Sequence, residues 1–269
     1  MNAISVHEAA YRCLMQSDVM SKVTEATALY QQYANDEPPP RDGVGEVARV
    51  EVPGRPDKPE LVPPQSVKMR KLTTPEGRAV LVHAVCHIEF NAINLALDAV
   101  YRFRDMPDQF YRDWLSVAAD EAKHFSLLQA RLNDMGYQYG DMPAHNGLWE
   151  MAVKTDHDVL TRMALVPRVL EARGLDVTPG MIKRLEQVGD EDTVAILHII
   201  LEEEIGHVSI GSRWFKYCCK REGKAPEPTF RELLTEYMGG GLRGPVHTEA
   251  RLQAGFSEAE IAELSNLGS

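Results

Sequence analysis

Glu121-Ala122-Lys123-His124 and Glu204-Ile205-Gly206-His207 are the two stretches on which the fold turns. On an α-helix, residues three apart lie about 60° apart around the axis and one above the other. Each stretch therefore aims a carboxylate and an imidazole the same way. One such pair is common on helices, but here each has a glutamate upstream at nearly the same distance. Glu89 stands 32 residues before Glu121, and Glu171 stands 33 before Glu204. The two halves repeat with an offset of 82 or 83 residues, Glu89 to Glu171, Glu121 to Glu204 and His124 to His207.

The neighbours of these groups are apolar. Glu89 shares its helix face with Val82, Val85, Cys86, Ala92, Ile93 and Ala96. Glu121 has Val117, Ala118, Phe125 and Leu128, and Glu204 has Leu197, Ile200, Leu201, Val208 and Gly211. A carboxylate on an apolar stripe is costly unless it is paired or bound to a cation. Glu171 sits among Ala164, Pro167, Arg168, Gly174 and Leu175 and takes its place by register; alone it reads as a surface partner of Arg168. Six candidate metal ligands result: Glu89, Glu121, His124, Glu171, Glu204 and His207. Asp120 and Glu203 precede two of them. A metal-bound histidine usually donates its free N–H to a carboxylate, so a crossed arrangement is expected, Asp120 to His207 and Glu203 to His124. The alternative is that both acids face solvent. A different ligand register would use Glu203 with His207, four residues on, but the repeat spacing favours Glu204.

Four carboxylates and two imidazoles, with no set of thiolates, suit two iron ions, with manganese or a mixed pair as alternatives. One glutamate from each of two helices plus Glu-x-x-His from each of the other two is the ligand arrangement of ferritin-like carboxylate bundles. The expected fold is all-α, a four-helix bundle over 74–224. Thr74-Pro75-Glu76 reads as an N-cap, a proline at the first helical position and an acidic first turn, opening a helix to about Asp105. A second helix is expected from about Asp108 to Met135 with Gly136 as its stop, and a third from Gly147 to Arg173, kinked at Pro167 and ending near Gly174. A short helix from Thr178-Pro179 to Val188 and a fourth long helix from Gly189-Asp190 to Arg221 complete the bundle. Residues 1–73 are expected to be one amphipathic helix over 5–33 and a proline-rich strap, from Pro38-Pro39-Pro40 to Pro63-Pro64, packed through Val50, Val52, Leu61 and Val62. Residues 225–269 are read as a Gly239-Gly240-Gly241 turn among short helices near 229–238, 245–254 and 257–265, the last opened by Ser257.

Composition sets the outer bounds. The 269 residues carry 29 Lys+Arg against 40 Asp+Glu, net −11, which disfavours broad nucleic-acid binding. Lys216, Lys220, Arg221 and Lys224 form one local basic run. Met1–Met20 is interrupted by His7, Glu8, Arg12 and Asp18, unlike a secretory leader, and no apolar run of membrane-span length is evident. A cytoplasmic protein is expected, with its four cysteines reduced and packed. His83, His87 and His198 could line the cavity. His145, His157 and His247 show no interpretable spacing, and Trp114, Trp149, Trp214, Tyr101 and Tyr111 read as core.

Beyond the ligand set, the text of the chain resembles a ferritin-like family labelled domain of unknown function 455. The matching stretches are Pro53-Gly54-Arg55-Pro56, Pro59-Glu60-Leu61-Val62-Pro63-Pro64, Glu76-Gly77-Arg78-Ala79 leading to His87-Ile88-Glu89, and Asp120-Glu121 with His124-Phe125. Leu170-Glu171-Ala172-Arg173-Gly174-Leu175-Asp176, Glu202-Glu203-Glu204-Ile205 with His207-Val208, and Ala250-Arg251-Leu252-Gln253-Ala254-Gly255-Phe256 extend it over nearly the whole chain. The resemblance implies a fold and a metal site but no activity, because relatives of this fold do different work on one scaffold. The expected function is O2 activation at a di-iron centre, with oxidation or hydroxylation of a small organic substrate and electrons from a reductase partner. A ferroxidase or iron-handling protein is the alternative, and a tRNA-modifying hydroxylase, by analogy with one relative, is a third. A monomer or homodimer is expected.

Overall fold

The computed structural model describes residues 4–35, 40–43, 47–67, 71–239 and 244–267. Its regular structure is all-α, with no strand among the described residues and one isolated parallel bridge, Leu61 to Ala144. The chain divides into two compact units, Met1–Val153 and Lys154–Ser269. Each holds one helix pair of the ligand repeat.

In the first unit, α1 (Val6–Leu14) packs on α3 (Pro75–Arg102), and α2 (Val19–Asn35) packs on α4 (Asp108–Asp134). The single helix expected over 5–33 is two. Asp18 starts α2 by accepting the Ser21 N–H at 2.8 Å, and the Gly54 N–H takes the Leu14 carbonyl at 3.0 Å. A Cβ at Gly54 would lie 2.2 Å from the Met15 carbonyl, so only glycine lets the strap cross there. The strap is ordered over 47–67. The Trp149 indole donates to the Glu51 carbonyl, the Tyr101 hydroxyl donates to the Ala48 carbonyl, and Val62 and Ala144 join backbones. Val50 is buried as expected, Leu61 and Val62 are half-buried, and Val52 is 63% exposed, turned outward. Pro38 and Pro39 lie outside the described residues.

Thr74 caps α3 by accepting the Gly77 N–H at 3.0 Å, with Pro75 at the first position. Gly136, at φ 81, ends α4 as expected. α3 has the length and average hydropathy of a membrane span, but 78% of its apolar window is buried in the fold. Its buried face also carries Glu89, Asn91, Asn94 and Asp98, as a core helix with polar partners would. Phe90 and Phe125 meet across the α3–α4 seam at 5.8 Å; burying such side chains stabilises by roughly 1.5–3 kcal/mol each. α5 (Gly147–Lys154) follows α4.

In the second unit, the helix expected over 147–173 is broken. α5 stops at Lys154, Asp158 caps α6 (Val159–Leu165) by accepting the Thr161 N–H, and a π turn spans Val166–Glu171. α7 (Ala172–Glu186) then runs through Gly174 and Pro179, where a stop and a new start were expected. Pro167 explains the π turn. It has no N–H for the preceding turn, and its ring would strike the carbonyl four residues back, so the helix widens. α8 (Glu191–Arg221) is capped by Asp190, which accepts the Thr193 N–H. The short tail helices α9 (Pro226–Met238), α10 (Thr248–Gln253) and α11 (Glu258–Leu267) fall close to the expected places. Ser257 and Glu260 form the reciprocal cap of α11, the Ser257 N–H to the Glu260 carboxylate and the Glu260 N–H to the Ser257 hydroxyl. Gly240 and Gly241 lie outside the described residues.

Candidate metal centre

In the first unit, α3 supplies Glu89 and the neighbouring α4 supplies Glu121 and His124. All three are buried, at 3%, 0% and 0% exposure. The His124 Nδ1 lies 3.3 Å from a Glu89 oxygen and 3.4 Å from a Glu121 oxygen. One ligand atom from each comes within 4.8 Å of the others, close enough to hold one ion. The apolar neighbours named from sequence, Val82, Val85, Cys86, Ala92, Ile93, Ala96, Val117, Ala118, Phe125 and Leu128, are all buried around them. Burial and then the Glu121 charge push the Glu89 carboxyl above its usual range. Burial works against a charged His124, but Glu121 and Glu89 outweigh it and hold the imidazole well above its ordinary value. Without a cation this cluster keeps protons to relieve its excess negative charge; a divalent ion meets the same need.

In the second unit, α8 carries Glu204 and His207, both buried, with the His207 Nδ1 at 3.3 Å from Glu204 Oε1. The other oxygen, Glu204 Oε2, is buried with no hydrogen-bond partner among the described residues. A buried carboxylate oxygen in that state is suited to a metal. Glu171 ends the π turn and is half-buried. The Pro167 ring lies on α8 at Gly211, where an added Cβ would be 2.4 Å from it. α7 and α8 pack together across a short turn and so run antiparallel. Moving one helical turn from Pro167 reaches Glu171, and one turn back from Gly211 reaches His207.

Asp120 and Glu203 are both half-buried, and Asp120 lies 3.9 Å from Lys123. Arg168 does not serve Glu171; it is fully buried and pairs with Glu260 at 2.8 Å. The His83 Nε2 accepts the Gly140 N–H at 2.9 Å, His247 caps α10, His157 meets Tyr237, and His198 is exposed. All four cysteines are buried free thiols. Lys216 donates to the Gly255 carbonyl and Lys224 pairs with Glu222, so two cations of the basic run are engaged within the fold.

Two features had no signal in the sequence. Tyr139, in the loop after α4, hydrogen-bonds His87 at 2.8 Å and packs on Phe90 and Phe125, the residues after Glu89 and His124. The Arg168–Glu260 and Arg251–Asp176 pairs, both buried, join residues 92 and 75 positions apart. Neither a loop tyrosine nor a distant ion pair leaves a periodic trace.

No solved structure matches this chain. An "Uncharacterized protein" of Haemophilus influenzae is 50% identical over 213 residues, covering 77% of this chain and 74% of that protein. Residues 15–262 match the family described as "Protein of unknown function (DUF455)", which takes in both helix pairs and all six candidate ligands. On that coverage, the chain belongs to the DUF455 family.

Proposed function

We propose that this chain is a ferritin-like four-helix bundle whose two half-sites together hold two iron ions, with manganese as the substitute metal. Glu89, Glu121 and His124 would hold chiefly one ion, and Glu171, Glu204 and His207 the other. The observation that carries the reading is the buried meeting of Glu89, Glu121 and His124, repeated in sequence by the second set. The donor set fits hard or borderline ions, because Cys86, the thiol nearest to Glu89 in sequence, turns its Sγ to the Phe125 carbonyl. The buried apolar residues around Glu89 and Glu121 exclude water and limit their rotamers. Asp120 and Glu203 would orient the two imidazoles.

The proposed activity is O2-dependent oxidation of a small organic substrate in the cytoplasm, with electrons from a reductase partner. Bound iron would supply the O2 chemistry; the chain supplies ligand geometry, charge balance and a dry interior. The test is anaerobic Fe(II) titration followed by O2, read by optical absorption and oxygen uptake, in wild type, Glu121→Ala and Glu204→Ala. About two irons per chain and O2 uptake lost in both variants are expected. Iron binding unchanged in both variants would sink the site. O2 uptake that oxidises only the iron, with no turnover under added reductant, would favour an iron-handling protein.

A further inference from the structure

We propose that the C-terminal helices are part of the metal site's construction: the pairs Arg168–Glu260 and Arg251–Asp176 are positioning residues that set Glu171. This rests on the reading of Glu171 as a ligand.

The need for positioning comes from the backbone. Glu89 lies in the middle of α3, where regular helical bonds fix its direction. Glu171 is the last residue of a π turn, which is rare in helices and occurs mostly as a single wide turn, so regular helical periodicity does not fix its direction. The tail supplies that hold on both sides. Three residues before Glu171, the Arg168 guanidinium is fully buried between the rings of Phe215, Phe230 and Phe256, at 4.3–4.7 Å from each. Its Nη2 donates to Glu260 on α11 at 2.8 Å and its Nε to Ser212 on α8 at 3.2 Å. Glu260 is itself fixed by the Ser257 cap.

Five residues after Glu171, Asp176 receives Arg251 of α10 through both oxygens, at 2.9 and 2.7 Å, with both side chains buried. The His247 N–H, at 2.8 Å, and the Arg173 guanidinium, at 2.9 Å, add two further bonds to Asp176. Arg251 also reaches the carbonyl of Ala172, the residue next to Glu171, at 3.5 Å. Buried ion pairs are poor sources of net stability compared with apolar packing of the same volume. What they supply is direction, and both close on the one candidate ligand whose helix is irregular.

The experiment is a Mn(II) titration of the full chain, read by the electron paramagnetic resonance of free Mn(II), with circular dichroism to confirm the fold. The proteins are wild type, Glu171→Ala, the double variant Arg168→Met with Glu260→Met, and the triple variant combining them. The apolar pair keeps volume and leaves no lone charge, so the double variant is expected to fold. Its Mn(II) affinity at the site that Glu171→Ala weakens should fall about tenfold or more. The triple variant should bind no worse than Glu171→Ala alone. If the double variant does not fold, Arg251→Lys, which keeps the charge and loses the two-oxygen grip, is read in the same way. Wild-type affinity in the folded variant overturns the proposal, as does an equal loss with and without Glu171. If Glu171→Ala itself binds Mn(II) as wild type does, the ligand assignment falls and takes this inference with it; if only the tail variant is silent, the inference alone falls.

Discussion

Glu89 and Glu171 hold corresponding places in the two helix pairs, and the chain presents them by opposite means. Glu89 rides an uninterrupted helix of 28 residues, with Val82, Val85, Cys86, Ala92, Ile93 and Ala96 of its own face buried. Glu171 follows a break at 155–158, a seven-residue helix and a π turn, and is half-buried. The first arrangement is local: Thr74 starts the helix, periodicity carries it, and burial does the rest. The second is built by tertiary contacts, a proline ring on Gly211 and two long-range ion pairs. A glutamate can thus be presented from a regular helix or from an irregular one packed against distant chain.

The comparison breaks most sharply at Arg168. Arg168→Ala leaves Glu260 buried and unpaired and empties the space between three phenylalanine rings. A loss of roughly 3–5 kcal/mol is expected by denaturant unfolding. A loss below about 1 kcal/mol would mean that the π turn holds itself. Gly211→Ala comes next, because its Cβ would press on Pro167 at 2.4 Å and a proline ring has little room to yield. A cost of about 1–3 kcal/mol is expected, with weaker metal binding in the proposed second half-site.

The acid response should report the first unit. Burial lowers His83 from 6.5 to about 4, and its Nε2 accepts a backbone N–H, so the folded form needs the neutral ring. Above pH 6.5 both folded and unfolded states leave the ring neutral, and its contribution is complete. As the pH falls below 6.5 the unfolded state binds the proton first, and the contribution is lost by about pH 4. About 1–3 kcal/mol should disappear across that window. Substitution by Gln, whose amide oxygen can accept the same N–H, should flatten that part of the profile. The smallest effect is at Gly206, exposed on α8 with nothing within 4 Å of an added Cβ. Gly206→Ala should stabilise by about 0.5–1 kcal/mol through helix propensity alone. Opposite signs at Gly206 and Gly211, five residues apart on one helix, would show that packing on Pro167 decides the outcome.

Much of this was legible in the residues. The caps at Thr74 and Ser257, the stop at Gly136 and the bounds of α4 and α8 follow from local chemistry. The apolar faces around Glu89, Glu121 and Glu204 follow from the 3.6-residue period, and so do the Glu-x-x-His pairs. The first helix reads as continuous in sequence because its periodicity survives the break; the cap at Asp18 and the crossing strap interrupt it. The third helix is irregular at Pro167, as its proline demands, but it also breaks at 155–158, where Asp158 caps a new helix, and runs on through Gly174 and Pro179, where local preference favours a stop and a start.

By itself, then, the sequence determined the helical class, the two hairpins and the kinds of ligand each can offer. These depend on spacings of three and four residues, and the energy of a helical turn is local. Only the tertiary structure decided that Arg168 belongs to Glu260 and not to Glu171, that Pro167 rests on Gly211, and that the tail closes on the π turn. A buried charge takes whichever partner the fold brings within hydrogen-bond reach. Here that partner is 92 residues away, beyond anything helical periodicity encodes.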